Sequence, residues 1–131
     1  MRQFTTRPEI LGTFGVVAST HWLATSAGMR ILEIGGNAFD AAVAAGFTLQ
    51  VVEPHLNGPG GEVPIILSNS QTKQVQVICG QGVAPEAATI SRFKDLGLTL
   101  VPGTRMMPAV VPGGFDAWML QLRDHPFAMA Y

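Results

Sequence analysis

Gly35-Gly36-Asn37-Ala38-Phe39-Asp40-Ala41-Ala42-Val43-Ala44 joins the end of one helix to the start of another within a few residues. Glycine enters the left-handed conformation at a helix C′ position without the Cβ penalty that other residues carry, so Gly35-Gly36 stops the element before it. Asn37, with Asp40 three residues later, offers side-chain acceptors and a reciprocal cap for the orphan N–H groups of a new first turn. Upstream, over residues 21–34, Leu23, Ala24, Ala27, Gly28, Ile31 and Ile34 recur at three and four, opposite Thr25, Ser26, Arg30 and Glu33; this is an amphipathic helix. Gly15-Val16-Val17-Ala18-Ser19 before it reads as a short strand, with Ser19 or Thr20 as the helix cap. Downstream, residues 38–52 are rich in alanine and apolar nearly all round, which a helix tolerates only when other elements cover most of its surface. The two helices are expected to form a tight hairpin, with the second at the centre of a larger body.

Glu53-Pro54-His55-Leu56-Asn57-Gly58-Pro59-Gly60-Gly61-Glu62 follows, a breaker cluster whose glycines and prolines predict turns with special dihedrals. Residues 63–68 and 74–79 read as two strands of an antiparallel hairpin around Asn69-Ser70-Gln71-Thr72, with Val75, Val77 and Cys79 alternating against Gln74 and Gln76. A short helix is expected over 89–96. After a Pro112-Gly113-Gly114 turn, a final helix over 115–124 is expected to point Trp118, Met119 and Leu122 inward.

The 131 residues are 47% hydrophobic and 13% charged, with a formal net charge of −1. That length suits one domain, and charged residues run at about half the ~25% typical of soluble domains. The apolar surplus, a mean hydropathy of +0.30, suggests surface meant for a partner. Eight Lys and Arg against nine Asp and Glu, scattered along the chain, leave no basic stripe for nucleic acid and no polybasic run for anionic lipid. The longest apolar run, 41–52, falls short of the ~18 to 20 residues needed to cross a bilayer. Residues 1–11 carry Arg2, Arg7 and Glu9 without an apolar h-region, so they are read as neither a secretory signal nor a membrane anchor and a cytoplasmic location is the default expectation, with a periplasmic or secreted one the alternative if further residues precede them. The single cysteine, Cys79, excludes an intramolecular disulfide and a multi-cysteine metal site. As a free thiol it is expected to be a small buried strand residue.

No complete catalytic constellation is present. His21, His55 and His125 lie too far apart in sequence for a ligand set such as HExxH, no carboxylates pair at i, i+3 or i+4, and each histidine is expected to cap or sit on the surface. Gly58-Pro59-Gly60-Gly61 precedes a strand, whereas a phosphate-binding loop follows one and opens a helix, and the Gly-Lys-Ser/Thr ending is missing. Gly58, Gly60 and Gly61 are read first as a plain tight turn; an oxyanion or carboxylate nest built from the amides they free is the competing reading.

Val17-Ala18-Ser19-Thr20-His21, Ala27-Gly28-Met29-Arg30-Ile31-Leu32, the quoted 35–44 stretch, Val51-Val52-Glu53-Pro54-His55, Gly58-Pro59-Gly60-Gly61, Val83-Ala84-Pro85-Glu86-Ala87-Ala88-Thr89 and Val111-Pro112-Gly113-Gly114 occur here in order. Together they resemble the N-terminal segment of the large subunit of γ-glutamyltransferases. The resemblance spans about residues 15–123 and implies an α+β architecture, the αββα layered fold of N-terminal-nucleophile hydrolases, of which residues 1–131 form the N-terminal portion as a single partial domain. It implies a proenzyme that cuts itself and a threonine at the start of the small subunit that acts as nucleophile, its own α-amino group serving as base. No threonine of this chain sits in that motif, so no catalytic residue is expected here and the chain alone should be catalytically incomplete. The implied reaction is amide hydrolysis or acyl transfer through an acyl-enzyme, with no metal and no organic cofactor. The implied partners are a small-molecule amide or γ-glutamyl substrate, the remainder of the large subunit, and the small subunit from the same precursor; nucleic acid and membrane are not among them.

Two features depart from the family pattern. The family places an arginine two residues before Val-Ala-Pro, where its guanidinium clamps the donor α-carboxylate in a bidentate pair. Gln81 stands at that position and offers hydrogen bonds without charge, which counts against an ordinary γ-glutamyl donor. Cephalosporin or glutaryl acylase-like and oxamate-type amidohydrolase activities of the same family are the alternative, as is a non-catalytic truncated paralogue. The competing reading of Gln81 is that it ends the second strand and bonds a neighbouring backbone group. The second departure is the tail: after Leu122-Arg123-Asp124-His125 the family continues with a Gly-Thr turn and a further helix, whereas this sequence reads Pro126-Phe127-Ala128-Met129-Ala130-Tyr131.

Overall fold

The structure, a computed structural model, describes residues 9–125. The Arg2 and Arg7 positions and the 126–131 tail lie outside the described residues. Four helices and one hairpin follow in the order α1 (Trp22–Glu33), α2 (Ala38–Val52), β1 (Val63–Asn69), β2 (Gln74–Gly80), α3 (Ile90–Asp95) and α4 (Gly114–Asp124).

The α1–α2 junction forms as its sequence predicts. Gly35 has φ of 95°, its N–H bonds Leu32 O at 3.0 Å and the Gly36 N–H bonds Ile31 O at 2.8 Å, the paired bonds of a Schellman stop. Asn37 Oδ1 accepts from the N–H groups of Phe39 and Asp40 at 2.8 and 2.9 Å, and the Asn37 N–H donates to Asp40 Oδ2 at 3.3 Å, completing a capping box. The start of α1 differs from expectation. His21 is the N-cap, its Nδ1 accepting from Leu23 N–H at 3.2 Å. Ser19 Oγ instead donates to His21 O at 2.7 Å and lies 2.7 Å from Thr25 Oγ1, while Thr20 Oγ1 donates to Glu53. Residues 15–19 form no strand among the described residues, where the paired strands are β1 and β2 alone.

Small residues let the two helices approach closely. Ala24 and Gly28 of α1 are buried against α2, where Ala41, Val43 and Ala45 are buried. A Cβ at Gly28 would come within 3.0 Å of Ala41 O and 3.4 Å of Ala45 Cβ. On another face of α2, Gly46 and Phe47 receive α4: a Cβ at Gly46 would sit 2.6 Å from Trp118 Cζ2, and the Phe47 ring centroid lies 6.0 Å from that of Phe115.

The hairpin is antiparallel, with Val63 opposite Gly80 and Asn69 opposite Gln74. Its turn is closed by Asn69, whose Oδ1 accepts from Gln71 and Thr72 N–H and whose carbonyl accepts from Lys73 N–H at 2.8 Å. The register puts Val63, Ile65 and Leu67 opposite Gly80, Ile78 and Gln76 on the inner face, of which Leu67 and Gly80 are buried. The row Val75, Val77 and Cys79 therefore stands on the outer face and is exposed, Val77 at 67%. The expectation that Cys79 is buried is overturned, since directly opposite residues share a face and its partner Pro64 also points outward. α3 starts at an Asn/Ser/Thr-type cap, Thr89 Oγ1 accepting from Arg92 N–H at 3.2 Å, and packs against no other element of the described residues.

The inward set of α4 also differs from expectation. Gly114, Ala117 and Gln121 are its buried residues, spaced three and four apart; Trp118 and Leu122 are half-buried and Met119 is 43% exposed. The small stripe faces the hairpin, since the inner end of β2 approaches too closely for a large side chain: a Cβ at Gly80 would sit 2.6 Å from Ala117 Cβ.

Candidate functional site

Three glycine-bearing segments converge on the N-terminus of α4. The 58–61 loop turns through a Gly61 N–H to Gly58 O bond of 2.9 Å, and Gly61 O then accepts from Gly114 N–H at 2.9 Å and from Gly113 N–H at 3.4 Å. The exit of β2 runs behind this junction, where a Cβ at Gly113 would lie 2.8 Å from Gly80 O and 3.2 Å from the Gln81 carbonyl carbon. The Val111 N–H to Val83 O bond of 3.0 Å ties the next residues alongside. Close backbone approach explains glycine at 80 and 113. It does not explain Gly58: a Cβ there would meet nothing within 4 Å, and left-handed φ is found among the described glycines at Gly35 and Gly97, not in the 58–61 loop. The left-handed dihedrals that glycine favours are therefore absent from this loop, which turns through the Gly61 N–H to Gly58 O bond.

A cavity of about 560 Å³ opens beside the loop. Its walls are the Val16–Thr20 residues before α1, the Ala41, Ala45 and Leu49 side of α2, Trp118, and a rim of Asn57, Gly58 and Glu62. The lining is mainly apolar, as in small-molecule pockets, with a few polar groups at the edge. Glu62 is the ionisable residue among the lining positions. Gly58 is on this wall, while Gly60, Gly61 and Gln81 are not.

Gln81 directly follows β2 with an exposed side chain, and its Oε1 accepts the Cys79 thiol at 3.9 Å. Its recorded side-chain contact is thus with a neighbouring thiol and not with backbone. The Gly61 N–H is engaged in the turn, and the Gly113 and Gly114 N–H groups are engaged by Gly61 O, so these three donors are not free for an anion. The histidines divide as their spacing suggests: His21 caps α1, His55 is exposed, and His125 ends α4 with its ring stacked on Phe39 at 4.4 Å. Beside it, Arg123 Nε donates to Asp124 Oδ1 at 2.8 Å, and that hydrogen bond holds the Asp124 carboxyl below the usual carboxylate range. Among the described residues no three His, Cys, Asp or Glu side chains gather as a metal site, and no helix is long and apolar enough to cross a membrane.

Sequence reading missed Gln121 and Glu62. For Gln121 a signal existed: Gly114 and Ala117 mark a small-residue stripe at three and four whose next member is position 121.

Comparison with known proteins gives a consistent result. The sequence model of the family described as Gamma-glutamyltranspeptidase matches residues 24–126. The glutathione hydrolase-like YwrD proenzyme of Bacillus subtilis is 40% identical over 118 residues, covering 89% of this chain and 22% of that protein. Two solved forms of a protein named LmbA2991 are 65% and 63% identical, with TM-scores of 0.86 and 0.84, each covering 93% of this chain and 21% of the other. The γ-glutamyltranspeptidase of Helicobacter pylori is 30% identical with a TM-score of 0.80, over 90% of this chain and 34% of the other. The chain thus spans about a fifth of the length of the first curated relative.

Proposed function

The chain belongs to the γ-glutamyltranspeptidase family, and from that premise we propose that it is a large-subunit segment of an amide hydrolase or acyltransferase whose acyl-enzyme forms on an N-terminal threonine outside the chain. The carrying observation is the ordered match over residues 24–126 together with the same backbone arrangement in a solved γ-glutamyltranspeptidase. The fold is the α+β portion that such enzymes share. In this reading the segment builds a wall of the acyl site, with the 58–61 loop at its edge, and the remainder of the precursor brings the nucleophile. A threonine with a free α-amino group carries its own base, so the reaction needs no metal and no organic cofactor. The substrate is a small molecule with an amide or γ-glutamyl bond, and the partners are the rest of the large subunit and the small subunit of the same precursor, assembled in the cytoplasm.

Gln81 favours a second reading within the same chemistry. An uncharged amide at the carboxylate-clamp position suits donors without an α-carboxylate, as an acylase or oxamate amidohydrolase would use. Family members with those names are similar to this chain, among them the oxamate amidohydrolase proenzyme of Klebsiella pneumoniae, 31% identical over 114 residues. Mass spectrometry of the full-length protein carrying this segment tests the proposal. A second polypeptide beginning with threonine, and hydrolysis of γ-glutamyl or acyl anilides, are expected; an uncut, inactive product would overturn it in favour of a non-catalytic paralogue.

A further inference from the structure

We infer that Gln121 is a positioning residue for the 58–61 loop, acting through α4 as a rigid lever. The buried stripe of α4 has three members with three different tasks. Gly114, at the N-terminal end, donates to Gly61 O at 2.9 Å and so holds the loop. Ala117 rests on Gly80. Gln121, two turns further on and only 2% exposed, donates from Nε2 to Phe39 O at 3.0 Å, in the first turn of α2. The same end is tied again by Asn37 Nδ2, which donates to His125 O at 3.4 Å, and by the stacked Phe39 and His125 rings. A helix rises about 1.5 Å per residue, so the loop end of α4 lies about 10 Å from the Gln121 hook and moves with it. Phe39 O is the register mark against which α4 is set.

The side chain keeps an unusual feature. Gln121 Oε1 is buried without a hydrogen-bond partner, a defect that folded proteins seldom carry. A methionine of the same shape would remove the orphan acceptor and keep the packing, so stability alone does not favour glutamine here. What glutamine adds is a single directed N–H at a fixed height on α4.

The inference rests on the reading above only for its activity readout. In the full-length protein, Gln121→Met removes the donor and the orphan acceptor together, and Gln121→Leu removes both with a branched apolar side chain. Hydrogen exchange read by mass spectrometry on a peptide spanning 57–63 should rise several-fold in both variants, with peptides from α1 and the hairpin turn unchanged. Amide-bond cleavage should fall about tenfold to a hundredfold through kcat, as a misplaced wall costs transition-state fit more than ground-state binding. Wild-type exchange at 57–63 in a folded Gln121→Met variant would overturn the inference. Failure of both variants to fold would overturn it too, assigning Gln121 to the stability of the whole body. A parent protein without cleavage would sink the activity reading, and the exchange data alone would then decide the positioning role.

Discussion

Glutamine and arginine at position 81 differ by one formal charge and by a planar fork of donors that matches a carboxylate. The backbone at 81 is fixed, since it passes against Gly113, while the side chain is exposed and free to be replaced without disturbing a packed core. Substitution should therefore act on recognition and leave folding intact. A charge-assisted bond is worth about 1.5 to 3 kcal/mol, or roughly one to two decades in selectivity. In the processed, full-length enzyme, Gln81→Arg should raise kcat/KM for γ-glutamyl donors by that factor relative to acyl donors lacking the α-carboxylate. If the parent already prefers γ-glutamyl donors and the arginine changes nothing, position 81 is outside the donor site and the acylase reading loses its support. At this scale the sequence was partly legible. Asn37 and Gly35 act through their own backbone neighbours, so their roles are visible in a short window. Gln121 bonds a carbonyl 82 residues away, and no local pattern encodes that pairing. Cys79 was misjudged because strand alternation tells which residues share a face but not which face is covered.

Among the elements, α2 depends on its cap more than on its amphipathicity, since it is apolar on every side and has no polar stripe to orient it. Asn37 satisfies two of its orphan N–H groups, receives the Asp40 carboxylate in return and reaches His125 O. Asn37→Ala removes the two cap bonds and the bond to His125 O, and leaves the backbone N–H of residue 37 donating to Asp40. It should destabilise the folded protein by about 1 to 2 kcal/mol, read as a lowered midpoint in urea unfolding at an unchanged slope. Asn37→Asp, which keeps the acceptor, should recover most of the loss; equal destabilisation by both would show that the cap bonds contribute little. Helices α1, α2 and α4 and both strands were legible because caps, breakers and periodicity act within a few residues. The expected strand over 15–19 was not realised. A strand exists only where a neighbouring chain supplies the other half of its hydrogen bonds, and the described residues place none there.

At the scale of the whole molecule, uncovered apolar surface decides. Ile66, Val75 and Val77 form a continuous row on the outer hairpin face, and Ile90, Leu100 and Met106 stand 76%, 81% and 83% exposed on the segment around α3. Scattered apolar residues are ordinary on a protein surface, but a contiguous sheet face with both edges unpaired is a template for association. On the proposed function the remainder of the precursor covers these surfaces. Expressed by itself, the segment should therefore self-associate or precipitate at micromolar concentration and bind a hydrophobic dye, and charged replacements at Ile66 and Val77 should raise its solubility without unwinding α1 and α2. Sedimentation velocity is the direct check. A single compact 13.9 kDa species with no dye binding would show that the hairpin and the α3 segment find cover within the chain itself, and the expectation of a covering partner would fall with it.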